Sequence, residues 1–207
     1  MLQPHFADRS SKVIMLNNRV TVRPSFYIGL CISLFVLPIQ WVFAWLSAAL
    51  VHEFGHLFAL KLLQIPVARI TLNFGGALIE TGYITPTSEI ISALAGPIAG
   101  LGCLFVSNVA PQLAICAFVQ SVYNLLPFPF YDGGRAVRGL LLQLFADRAE
   151  MVYRWILSFV TCSLILLGLY LSFAVKLGMI SFVFCMIPIL KSGIIKIPCK
   201  QIKQIVQ

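Results

Sequence analysis

Residues 25–63 read SFYIGLCISLFVLPIQWVFAWLSAALVHEFGHLFALKLL, and Glu53 is the only charged side chain between Arg23 and Lys61. As one continuous helix this interval would extend ~56 Å, nearly twice the ~30 Å hydrocarbon core of a bilayer. It must therefore fold back on itself. Pro38, which breaks a helix, and Gln40, which tolerates the membrane interface, mark the turn. The reading gives one membrane span over 25–37 and a second over 39–63.

The remainder of the 207 residues carries the same signature, with 59% hydrophobic and 11% charged side chains, more apolar than a soluble core requires. Residues 90–131 and 156–175 are uncharged. Residues 66–86 differ in kind: an alternating, β-branched pattern surrounds Gly75-Gly76 and predicts a β-hairpin. A third span covers 89–109, with small residues at Ala95, Gly96, Ala99 and Gly100 for close helix approach, Pro97 as a kink and Pro111 as its end. The fourth starts near Gln112 and meets Pro127 and Pro129 after ~22 Å of helix, too little to cross. Residues 124–134 thus break the chain at membrane depth, where irregular backbone survives only in a protected site. A basic helix follows over 135–150, then spans over 153–175 and 177–190.

The expected fold is an all-α polytopic membrane protein with about six transmembrane helices, a small β-hairpin between the second and third, and a broken fourth helix. Residues 1–24 form a basic cytoplasmic segment that does not resemble a signal peptide, 25–190 the membrane domain, and 191–207 a basic interfacial tail. With that topology, 14 of the 15 Lys and Arg residues fall on the cytoplasmic side and only Lys176 outside. The formal charge of +8 therefore reflects span ends facing the cytoplasm rather than a nucleic-acid surface. The six cysteines are scattered singly in apolar runs and read as reduced packing residues.

Within the second span, His52-Glu53-Phe54-Gly55-His56 puts two imidazoles one helical turn apart on one face, where they can grip a single metal ion. Zinc suits imidazole nitrogen and, in catalytic sites, acidifies a water that the adjacent Glu53 can deprotonate. Chance alone places HExxH in roughly one in 100 to 200 chains of this size. The membrane setting changes those odds, because each ionisable residue in a span costs ~2.5–3.5 kcal/mol on insertion scales and three lie within five positions. A bound dication offsets that cost; a proton or ion pathway is the rival reading.

A third ligand discriminates. His5, the only other histidine, lies in the polar N-terminal segment, so a carboxylate is expected, with a cysteine as the second choice. Of the seven, Glu53 is already assigned, Asp8, Asp147 and Glu150 lie in basic segments, Glu89 begins a helix, Glu80 lies in the hairpin, and Asp132 alone sits in the broken span. Its depth matches: the fourth span has descended ~22 Å by Pro127, and the histidines lie ~8–14 Å from the inner end of the second. Against this, Tyr131-Asp-Gly-Gly has the composition of an ordinary turn. The expected site holds one Zn2+ per chain on His52, His56 and Asp132.

HEFGH at 52–56 and NLLPFPFYDGGR at 124–135 together resemble the site-2 protease family of intramembrane zinc metalloproteases. The second motif matches at Asn124, Pro127, Asp132, Gly133 and Gly134, with Tyr131 replacing the commoner leucine. Asn73-Phe-Gly-Gly-Ala and Ser92 to Pro97 look similar too. The resemblance implies zinc on His52, His56 and Asp132, Glu53 as catalytic base, and Asn124 holding substrate or the developing oxyanion. It also implies cleavage of membrane-associated protein substrates, with regulatory membrane proteins as partners. Pattern and resemblance together make the hairpin a strand that captures extended substrate, with Phe74, Gly75 and Gly76 as its candidate residues. The chain's compactness is closest to the branch containing the sporulation factor processing proteases. A membrane metal transporter and a catalytically inactive scaffold are the alternatives.

Overall fold

A computed structural model describes residues 20–73 and 76–173. Nine labelled elements follow in order: β1 (Val20–Val22), α1 (Pro24–Val36), α2 (Ile39–Leu62), β2 (Val67–Asn73), β3 (Gly76–Thr81), α3 (Pro86–Gly102), α4 (Pro111–Asn124), α5 (Asp132–Phe145) and α6 (Ala149–Phe173), with short 3-10 turns after α3 and before α6.

The turn expected at Pro38 is present. Leu37 and Pro38 are extended and separate α1 from α2, so the charge-free interval does fold back. Three helical runs among the described residues are long and apolar enough to cross a membrane: Ile39–Leu62, Pro86–Val106 and Asp132–Ser172. In the last of these, Arg135, Arg138 and Arg148 precede the apolar stretch, which is α6. α1 and α4, with 13 and 14 residues, reach only ~20 Å, short of the ~30 Å core. The sixth span expected over 177–190 lies outside the described residues, as do Phe74 and Gly75 and the tail over 191–207.

The outer surface is apolar. Phe35 is 96% and Phe105 93% exposed, an arrangement that suits hydrocarbon rather than water. The interior is built from small residues: Ala44 and Ala48 of α2 meet Cys116 and Ala117 of α4, with Cys103 beside them. Small side chains let helix backbones approach closely in lipid, where apolar burial gives no driving force of its own. α3 continues through Pro97, which is fully buried. Gly55 marks a close α2–α3 backbone contact. A Cβ there would lie 2.5 Å from the carbonyl oxygen of Ala95 and 2.8 Å from Cβ of Ala99.

The expected hairpin forms, with β2 antiparallel to β3 and Asn73 opposite Gly76. Gly76 is therefore the first residue of β3, and its φ of 119° is accessible to glycine. A third strand joins them: β1, within the segment read as a basic tail, pairs parallel with β2 from Val20–Ile70 to Val22–Leu72. Three residues carry too little alternation to stand out, and their strand character comes from the β2 edge they pair with.

The broken fourth helix is shorter in its irregular part than expected. α4 ends at Asn124, and α5 begins at Asp132 rather than Arg135, leaving only residues 125–131 non-helical. Gly133 and Gly134 are not turn residues; they form the first helical turn under that segment. A Cβ at either would collide with the carbonyl of Leu125 or of Phe128, respectively.

Because Gly55 faces backbone, Gly55→Ala should destabilise the full chain in detergent by about 1–3 kcal/mol, the usual cost of overpacking. Gly102→Ala, whose Cβ would meet nothing within 4 Å, is the matched control and should leave the melting temperature unchanged. Equal melting temperatures for both variants would show that the α2–α3 contact is not tight.

Candidate metal centre

Three side chains from two helices distant in sequence meet at one point. His52 and His56 lie one turn apart on α2, as the motif spacing requires, and Asp132 is the first residue of α5. All three are buried. Nε2 of His52 lies 3.0 Å from Oδ2 of Asp132, Nε2 of His56 lies 3.1 Å from the same oxygen, and the two Nε2 atoms are 3.1 Å apart. The carboxylate sits at a helix N-terminus, where the first-turn N–H groups and the macrodipole favour negative charge.

The second nitrogen of His56 fixes the chemistry of the first. Nδ1–H donates to the carbonyl oxygen of Ser92 on α3 at 2.7 Å. That bond places the proton on Nδ1 and leaves a lone pair on Nε2, directed at the lone pairs of Oδ2 and towards His52. Acceptors facing one another at 3.1 Å repel unless a cation or a proton lies between them. Two imidazole nitrogens and one carboxylate oxygen are a zinc-type donor set, and tetrahedral bonds of ~2.0–2.1 Å would separate such donors by about 3.3–3.4 Å. The observed spacings fall within a few tenths of an ångström of that. His52, His56 and Asp132 can hold a metal ion.

Around this trio the packing is closed. A Cβ at Gly96 would strike the His56 ring, so α3 contributes both the acceptor that orients His56 and the space it occupies. The rings of His52 and His56 meet edge to face, with centroids 4.8 Å apart. Glu53 projects beside the trio towards the sheet, its Oε1 accepting from the backbone N–H of Ala77 on β3 at 3.4 Å. Asn124, the last residue of α4, is half-buried and makes no hydrogen bond to the three clustered groups. Gly76 lies near Glu53: its Cβ would be 3.9 Å from Oε1.

Two contributors escaped a residue-by-residue reading. The Ser92 carbonyl has no side-chain signature, and Gly96 read as a helix-packing position rather than as room for a ligand. The only prior pointer to either was the resemblance of residues 92–97.

A helical protein with membrane-capable helices and an internal cluster of side chains able to hold a metal is thus defined by its geometry. No protein-family model and no curated protein matches the sequence. Among solved structures, the chain is similar to the site-2 protease from Methanocaldococcus jannaschii, with a TM-score of 0.56 and 20% identity over 86% of this chain and 93% of that one. The chain has the fold of a site-2 protease.

Titration of the purified full chain with zinc(II) against a competing chelator should reveal one tight site, lost in Asp132→Asn. Gly96→Ala should weaken it by on the order of 10–100-fold, the usual effect of disturbing a ligand's supporting contacts, while helix content is retained. Undiminished affinity in Gly96→Ala would mean that the position of His56 against α3 does not matter to binding.

Proposed function

We propose that the chain is an intramembrane zinc metalloprotease that hydrolyses peptide bonds of membrane-associated protein substrates, as in regulated release of a transcription factor. The observation that carries this reading is the convergence of His52, His56 and Asp132 in a buried site, with Glu53 between them and β3, the outer strand of the sheet among the described residues. His52, His56 and Asp132 would hold the zinc, which when bound would supply a Lewis acid for a peptide carbonyl and a water acidified towards ~7. Glu53 takes the proton of the attacking water and returns it to the leaving amine. Asn124 donates from its side-chain amide to the carbonyl oxygen as charge develops there. The positive-inside distribution of Lys and Arg supports cytoplasmic termini and a site nearer the cytoplasmic face.

A helical substrate hides its carbonyls in internal hydrogen bonds and must be extended before it can be cut. The edge of β3 suits that task. The carbonyl of Leu72 accepts from Arg23 N–H at 2.9 Å, so at this register β2 turns towards β1. Its partner Ala77 directs its N–H to Glu53 instead of to β2. By the two-residue alternation of an antiparallel pair, Ala77 and Ile79 present their backbone groups to the free edge, and Leu78 presents its own to β2. An extended substrate paired there would lie alongside Glu53.

Glu53→Gln should reduce cleavage of a co-expressed membrane substrate by about 10²–10⁴-fold with zinc content unchanged. Metal flux across vesicles that survives this substitution would favour a transporter instead. Ile79→Pro should also impair cleavage with zinc retained, because proline removes one edge donor and is tolerated where the N–H faces outward. Wild-type turnover in Ile79→Pro would remove β3 from substrate capture.

A further inference from the structure

Asp132 offers two oxygens, and only one is used by the histidines. Oδ2 lies 3.0 and 3.1 Å from the two Nε2 atoms. Oδ1 faces away, 3.7 Å from Nη1 of Arg135, one turn further along α5. Nε of the same guanidinium lies 3.4 Å from Oε1 of Glu89 on α3. One planar, permanently charged group is thus flanked by two carboxylates on different edges of its fork, an arrangement that a lysine ammonium reproduces only in part. Glu89 and Ser92 lie one turn apart at the start of α3. The first turns of that helix therefore reach two of the three clustered side chains, His56 through the Ser92 carbonyl and Asp132 through Arg135.

We propose that Arg135, braced by Glu89, is a positioning residue that holds Oδ1 of Asp132 away from the metal, so that Asp132 binds through Oδ2 alone and a coordination position stays open. The inference rests on the metal-centre reading above. A carboxylate without this restraint can swing to grip a divalent ion through both oxygens, which raises the coordination number and occupies the place a substrate carbonyl or water needs. A competing account makes the pair a clip between α3 and α5, with no bearing on the ligand.

Cobalt(II) separates the two, because its visible absorption is intense in four-coordinate sites and weakens as coordination rises. The full chain in detergent is loaded with cobalt(II), and its spectrum and affinity are compared for the wild type, Arg135→Met, Arg135→Lys, Glu89→Gln and Asp132→Asn. Arg135→Met should lose visible intensity and bind cobalt(II) on the order of 10–100-fold more weakly, the range found when a metal ligand's outer partner is removed. Arg135→Lys should recover much of both, and Glu89→Gln should shift both in the same direction by less. A clip would lower the melting temperature in Arg135→Met and leave the spectrum as in the wild type, which overturns the proposal. If Arg135→Met does not fold, Glu89→Gln decides: an unaltered spectrum and affinity rejects the bracing. A wild-type chain whose cobalt(II) binding is indifferent to Asp132→Asn rejects the metal centre itself, a different failure.

Discussion

Three ionisable side chains buried among helices with lipid-facing surfaces are the constraint around which this molecule is arranged. Each would cost ~2.5–3.5 kcal/mol in a lone span. Their burial is sustainable because each lends the others what the bilayer withholds. The Ser92 carbonyl takes the outer proton of His56, the N-terminus of α5 supports the charge of Asp132, and the inward-facing acceptors are placed so that they can share a cation. Bringing α2, α3 and α5 that close demands residues without side chains at the crossings. Gly55, Gly96, Gly133 and Gly134 all stand where a Cβ would meet backbone or a ligand ring.

Much of this could be read from residue order because the decisive signals are local and strong. A proline in a charge-free run divided α1 from α2 to within a residue. The HEFGH spacing put both histidines on one face, and the elimination of the other carboxylates pointed to Asp132. What could not be read depends on contacts between distant segments. β1 is a strand only because β2 lies beside it. Gly133 and Gly134 have the composition of a turn, yet they are helical, since the loop above them leaves room for nothing larger. Span counting sits between these cases. The charge distribution argues for six crossings, whereas helix length supports three among the described residues, because α1 and α4 stop near 20 Å.

The short α4 is also what makes the site possible. Had it crossed fully, Asp132 would lie beyond the membrane or within a helix, with no free N–H groups near it. By ending at Asn124 and restarting at Asp132, the chain creates a helix N-terminus beside His52 and His56, where the carboxylate is needed. The seven residues between must satisfy their own polar backbone without lipid's help. Phe128 N–H donates to Leu126 at 2.8 Å, Tyr131 N–H donates to Phe128 at 2.9 Å, and the hydroxyl of Tyr153 on α6 donates to the carbonyl of Pro127 at 3.1 Å. Pro127 and Pro129 have no N–H to satisfy, which removes two donors from a segment of seven. Phe128, Tyr131 and Leu157 then close an apolar cluster against α6. The residues that break the helix are thus the ones that make the break tolerable in lipid, and the geometry of Asp132 depends on both effects.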